Sequence, residues 1–243
     1  ALGGNGATYG SSTTGGFGVA YTQPKDDPSA PRFEINSNYA SMGAASSTQG
    51  LLADGQTKWL SSVAYGSPRW SVSLAYAAHS CTEATLAAPS CKVWTDIYST
   101  QLGSQASGTG DSAIGFRAHW RPEEVGMVPA IQFGYDTRTI DGTSSGEVKS
   151  TAQWMVGLMW NDVIIDGNRA GFAYGSRQHA TEFHTSGTEP ADENAVWEAY
   201  YDFKVNDNMT ITPTLFGGED TYNGHASGSD DIFGGLVQTT FKF

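Results

Sequence analysis

The feature that most constrains this chain is a two-residue alternation of apolar and small or polar side chains that recurs from one end to the other. Side chains on a β-strand point alternately to opposite faces, so a sustained period of two predicts strands with one apolar face. In the last segment Phe233, Val237, Phe241 and Phe243 share one parity, and Ile232, Leu236, Gln238, Thr240 and Lys242 share the other. The apolar parity upstream reads Met209, Ile211, Pro213, Leu215; then Ala195, Trp197, Ala199, Tyr201, Phe203; then Ala170, Phe172, Tyr174; then Trp154, Val156, Leu158, Trp160. It continues through Ile131, Phe133, Tyr135; Ile114, Phe116, Ala118, Trp120; Trp70, Val72, Leu74, Tyr76; Trp59, Val63, Tyr65; and Phe17, Val19, Tyr21. Ten strands are readable in this way, and residues 1–10 have room for an eleventh.

The connections between these segments alternate in length. Short turns are expected at 67–69, 122–126, 162–167 and 205–208, and long Gly/Ser/Asp-rich loops at about 23–56, 80–110, 139–148, 179–193 and 218–229. Short turns on one rim and long loops on the other mark transmembrane β-barrels of the outer-membrane type. The expected fold is therefore all-β: a single antiparallel transmembrane barrel domain over residues 1–243, with ten to twelve strands in this chain, complete or as part of a larger barrel. The C-terminus and the short turns then belong on the periplasmic side.

Composition agrees without deciding. Hydrophobic residues make up 39% of the chain and mean hydropathy is negative. No apolar run approaches the ~20 residues of a membrane helix, which excludes a helical membrane protein. Thirty glycines with 12% aromatic and 16% charged residues suit a barrel whose alternate residues face lipid, and equally a secreted β-sandwich. A net charge of −12 argues against nucleic acid. Cys81 and Cys91 are close enough in sequence to read as a local disulfide formed in an oxidising compartment, with two free thiols as the alternative. No signal peptide is visible, so the chain reads as mature or truncated.

Charge placement adds a second signal. Of thirteen Lys and Arg, Lys58, Arg117, Arg121, Arg138, Lys149, Arg169, Arg177, Lys204 and Lys242 lie on the polar parity, and Lys25, Arg32, Arg69 and Lys92 in loops or turns. A cation facing the bilayer midplane costs roughly 2–4 kcal/mol, whereas a wet lumen accepts it. The expected pore-lining set is Lys58, Arg117, His119, Arg121, Asp136, Arg138, Arg169, Arg177, Glu198, Asp202, Lys204 and Lys242. Trp59, Trp70, Trp120, Trp160 and Trp197 stand towards the strand ends of the apolar face, as interfacial girdles do. If the loop at 80–110 folds inward, Glu83 and Asp96 face Arg117, Arg121 and Arg138 across a constriction with a transverse field. The alternative is a solvated outer loop. The histidines fit no metal or catalytic spacing, and no nucleophile or acid pair assembles with them, so neither an enzyme nor a cofactor is expected.

Four segments resemble the cyanobacterial major outer-membrane porins, the iron-uptake porin family related to carbohydrate-selective porins. They are residues 111–135 (DSAIGFRAHWRPEEVGMVPAIQFGY), 153–174 (QWMVGLMWNDVIIDGNRAGFAY), 201–213 (YDFKVNDNMTITP) and 230–243 (DDIFGGLVQTTFKF), with looser likeness in GFGVAY and VAYGSPRWSVSLAY. The resemblance implies a homotrimeric passive channel for inorganic ions and small hydrophilic solutes in the outer membrane of a Gram-negative-type cell. It also implies contact with lipopolysaccharide, and with peptidoglycan through a surface-layer-homology domain that these residues do not include. Two other functions compete. A sugar-selective channel would turn aromatic rings inward, where only Tyr200 and Phe216 qualify. A structural barrel or surface receptor would act through its long loops, for instance towards a phage.

Overall fold

The computed structural model describes residues 15–41, 50–52, 56–81, 94–95, 101–103, 109–124, 126–141, 148–184, 193–219 and 231–242. The described residues are all-β and contain no helix. In chain order the strands are β1 Gly15–Thr22, β2 Arg32–Ser41, β3 Gln56–Ser67, β4 Trp70–Cys81, β5 Trp94–Thr95, β6 Gln101–Gly103 and β7 Thr109–Trp120. They continue as β8 Ala130–Ile140, β9 Val148–Asn161, β10 Arg169–Ser176, β11 His179–Phe183, β12 Ala195–Asn206, β13 Met209–Gly218 and β14 Ile232–Phe241. Twelve strands form one antiparallel meander in the order β1-β2-β3-β4-β7-β8-β9-β10-β12-β13-β14, with β11 beside β9; β5 and β6 form a separate two-stranded hairpin. Along this path each strand lies beside the next one of the path in chain order, with the β5–β6 hairpin inserted between β4 and β7 and β11 between β10 and β12.

The register puts the apolar parity of every strand on one face. Phe17 lies opposite Tyr39, which lies opposite Trp59. Val72 is opposite Ala118, Phe133 opposite Val156, and Phe172 opposite both Leu158 and Ala199. Leu215 is opposite Ala199 and Gly235. A slip of one residue at any ladder would turn that strand's apolar set to the other face, so the common pattern and the register specify each other. Along the apolar face the large rings gather towards the two ends of the strands. Phe17, Tyr39, Trp59, Tyr76, Tyr174, Trp197 and Phe233 stand towards the long-loop rim. Tyr21, Phe33, Tyr65, Trp70, Trp120, Trp160 and Phe203 stand towards the other. Val19, Ile35, Val63, Leu74, Val156 and Leu158 lie between them.

Three of the expected connections are corrected. Residues 23–56 are not one loop, because β2 lies within them and pairs with both β1 and β3. Asn36, Ser37 and Asn38 interrupt its apolar alternation, and Asn is depleted in strands. Hydrogen bonding makes the polar residue tolerable on the apolar face: Ser37 Oγ lies 2.8 Å from Ser61 Oγ and accepts from Trp59 Nε1 at 2.8 Å. The expected loop at 179–193 begins instead as β11, which resumes the line of β10 along β9 after residues 177–178 and carries register shifts at Glu182. Within 80–110, β4 runs on to Cys81, β7 starts at Thr109, and β5 and β6 lie between. The short connections fall near the expected places with shifted bounds: 68–69, 162–168 and 207–208 stand between strands, β12 runs on to Asn206, and β8 begins at Ala130 rather than at Met127.

The sheet is not closed. Among the described residues β1 pairs only with β2 and β14 only with β13, so the expected barrel is present as an open antiparallel wall. No disulfide occurs among the described residues. Cys91, with Glu83 and Asp96, lies outside them, as does the side chain of Cys81.

Candidate functional site

The two faces of the wall have the reverse of a soluble protein's burial. Large apolar side chains are exposed on β1, β2, β3, β4, β7, β8, β10, β12, β13 and β14, among them Val19 at 67%, Trp59 at 53%, Leu74 at 51% and Phe233 at 73%. With one exception, Leu236 on β14, the strand residues of this set lie on the apolar face. On the polar face Asp111, Arg138, Thr151 and Thr214 are buried. An exposed apolar surface crossing this many strands far exceeds the few hundred Å² usual on a soluble monomer.

Four ion pairs join charged residues of the polar face across strands. Arg117 donates from Nη2 to both carboxylate oxygens of Asp136 at 2.7 Å, and Gln153 Nε2 adds a bond to Asp136 at 3.1 Å, linking β7, β8 and β9. Arg169 Nη2 donates to Asp202 Oδ2 at 2.6 Å while Thr212 Oγ1 donates to its Oδ1 at 2.7 Å, linking β10, β12 and β13. Lys149 Nζ donates to Glu182 Oε1 at 2.6 Å. Towards the long-loop rim Arg138 Nη2 donates to Asp111 Oδ2 at 2.6 Å, with both side chains buried. Beside that pair Gln178 Nε2 donates to the buried Thr151 hydroxyl at 3.0 Å. Near the long-loop rim, Ile140, Val148 and Ala180 form a small buried apolar cluster.

Glycines let these groups lie against the wall. A Cβ at Gly115 would come within 2.6 Å of Asp136 Oδ1, so the Arg117–Asp136 pair rests on the gap left by that missing carbon. Tyr200 lies over Gly171 and Phe216 over Gly234, where a Cβ would collide with either ring. Both inward aromatics therefore lie over glycines of the neighbouring strands.

The expected pore-lining set falls into three groups. Arg117, Asp136, Arg138, Arg169 and Asp202 form the paired wall. His119 stands on the same face and shares a 2.8 Å hydrogen bond with the Ser71 hydroxyl, while Lys58 and Glu198 share that face by register. Arg121, Lys204 and Lys242 gather at the short-turn rim, and Arg177 sits at the kink between β10 and β11. Asp111, the buried partner of Arg138, was absent from the expected set; its place on the polar parity of β7, opposite Ile140, was the available signal. Arg117 and Arg138 are paired with acids from adjacent strands, while the loop acids Glu83 and Asp96 expected opposite them lie outside the described residues.

At the short-turn rim Lys204 Nζ lies 2.8 Å from Asp207. This hydrogen bond and the lysine's charge hold the Asp207 carboxyl below the usual aspartate range. At the 23–31 turn the Ser29 hydroxyl and amide do the same for Asp27. Asn208 fastens the end of β14 to the β12–β13 turn: its side-chain amide donates to the Lys242 carbonyl at 3.0 Å, and Lys242 N donates back to the Asn208 carbonyl at 2.9 Å.

The fold and this wall define an all-β antiparallel sheet with an exposed apolar face and a charge-paired polar face. No protein-family model, curated protein or solved structure matches the chain.

Proposed function

We propose that this chain forms the wall of an outer-membrane porin, through which inorganic ions and small hydrophilic solutes diffuse passively. The observation that carries the reading is the reversed burial of the two faces, apolar outward and charged inward. A transmembrane barrel requires this arrangement, since lipid covers one face and water fills the other. The two aromatic belts agree with it. Trp59 and Tyr65 are six residues apart, as are Trp70 and Tyr76, or ~20 Å along a strand, the order of the ~25 Å apolar band of such barrels. In this reading the long loops face outward and the short turns face the periplasm. The cyanobacterial porin likeness of the C-terminal segments, with its homotrimer and its lipopolysaccharide and peptidoglycan contacts, belongs to the same proposal.

The state of the polar face favours low selectivity. Four cross-strand ion pairs set Arg117, Arg138, Lys149 and Arg169 against neighbouring acids, which weakens the field of those four cations. Tyr200 and Phe216 lie over Gly171 and Gly234, so among the described residues these two rings form no ladder standing free for a sugar. Swelling of liposomes containing the protein, in sugars of graded size, tests the proposal. A size cut-off without stereochemical preference is expected. Preference among sugars of equal size would replace the reading with a sugar-selective channel, and impermeability with a receptor or structural barrel.

A further inference from the structure

One row of donors on the polar face runs beyond the ion pairs. On β7 the polar parity reads Arg117, His119 and then Arg121 towards the short-turn rim, with ~7 Å between successive members. β7 ends at Trp120, but the Arg121 amide donates to the Arg69 carbonyl at 2.8 Å. That bond carries the β4–β7 ladder one residue further and keeps Arg121 in the row. Ser71 of β4 and Gln132 of β8 both stand opposite His119. These five side chains and Pro68, with apolar residues of β7, β8 and β9, line one open cavity of about 340 Å³.

The charges around this cavity are unevenly used. Arg117 is bound to Asp136 at 2.7 Å, and Arg69, before β4, to Glu123 at 3.1 Å. Glu124 is exposed in the connection to β8 and pairs with neither Arg121 nor His119. Among the described residues no carboxylate lies within ion-pair distance of those two side chains. His119 is anchored through Nδ1, 2.8 Å from the Ser71 hydroxyl. When that hydroxyl donates, the ring proton resides on Nε2. Nε2, the Arg121 guanidinium and the Gln132 amide make no hydrogen bond within the wall.

We propose that this cavity is a weak binding site for small oxyanions of the phosphate type, placed at the short-turn mouth of the pore. The proposal rests on the porin reading, which puts the polar face in the lumen. A guanidinium presents a planar fork of N–H donors that matches an oxyanion. The imidazole and the carboxamide add donors beside it. A permeating ion must be held firmly enough to enter and loosely enough to leave. Exposed donors around one uncompensated arginine give a hold of that kind.

Inorganic phosphate is the test ligand. The full chain in a maltoside detergent, which carries no phosphate, is titrated against it and followed by phosphorus NMR line width. Saturable broadening is expected. Arg121→Gln should weaken the affinity roughly tenfold, as loss of a charged hydrogen-bonding partner does; His119→Gln should weaken it less, and the double variant should show no saturation. Lys242→Gln removes the same charge from the same rim just past β14, the sixth strand along the path from β7, and should leave the affinity unchanged. The proposal is overturned if the unaltered protein shows no saturable binding, if the double variant binds as well, or if Lys242→Gln weakens binding as much as Arg121→Gln. Planar-bilayer currents in potassium chloride separate the two readings. Phosphate should reduce the current of the unaltered protein and not that of the double variant; binding that leaves the current unchanged overturns the site's place in the pore. Current without saturable binding removes the site and leaves the porin; Arg121-dependent binding in a protein that carries no current removes the porin and leaves the site.

Discussion

Arg138 and Asp111 are the residues whose separation should cost most. Their side chains are 7% and 2% exposed, and removing one partner of a buried pair leaves a charge in a poorly solvated place. Arg138→Ala should destabilise the folded protein by about 3–5 kcal/mol, read as a lower urea midpoint in detergent. Replacing both with Leu and Met should restore much of that loss. The paired wall also predicts an electrical effect. Asp136 neutralises Arg117, so Asp136→Asn should shift single-channel selectivity towards anions. An unchanged reversal potential would show that this pair does not face the permeation path. Gly171→Val would force the Tyr200 ring off the wall. It should lower conductance at a stability cost of about 1–3 kcal/mol, as overpacking does. At the short-turn rim, the Asp207 carboxyl is held low by Lys204. A depressed carboxylate pKa contributes where pH exceeds the ordinary aspartate range, and that contribution is lost as pH falls through the folded value. Lys204→Ala should move the Asp207 midpoint up towards the ordinary range in an NMR titration.

Among the elements, the turn at 162–168 is the most heavily braced. Asn168 is fully buried; its side-chain amide donates to the Tyr201 hydroxyl at 2.9 Å, and its carbonyl oxygen Oδ1 accepts from Lys204 N at 2.9 Å. Tyr201 in turn donates to the Val163 carbonyl at 3.1 Å. Within this frame Ile164 has φ +68° and is 86% exposed. A β-branched side chain is strained in the left-handed region. Ile164→Gly should therefore raise stability by about 1 kcal/mol, measured by urea unfolding in detergent; a loss would show that Ile164 makes a contact in the membrane-bound state. This turn was legible beforehand from its Asp-Gly-Asn cluster. β2 was not, because Ser37 stands where the alternation calls for an apolar side chain, and only its bonds to Ser61 and Trp59 across the ladder explain the substitution. β11 was hidden for a related reason: a two-residue kink after β10 breaks the period, and pairing with β9 restores it.

For the whole molecule, the polarity of the faces matters more than the number of strands. A β-sandwich and a transmembrane barrel share the same alternation, and they differ in which face meets the solvent. Here the exposed face is the apolar one. The protein should accordingly partition into detergent or lipid rather than buffer, and extraction with carbonate should leave it in the membrane fraction. Recovery as a soluble monomer would contradict the porin reading at its base.

Sequence by itself determined which residues share a face, since parity is a property of covalent spacing and needs no partner strand. It also determined the rim with short turns and the segregation of all Lys and Arg from the apolar parity. Tertiary structure decided how the charges are used. Whether Arg117 meets a loop acid or Asp136, or Arg138 meets Asp111, depends on register between strands, which the local pattern does not encode. It also decided that the wall carries a β2 lane and ends at two like-directed edges, because pairing and its direction arise only when the strands are assembled.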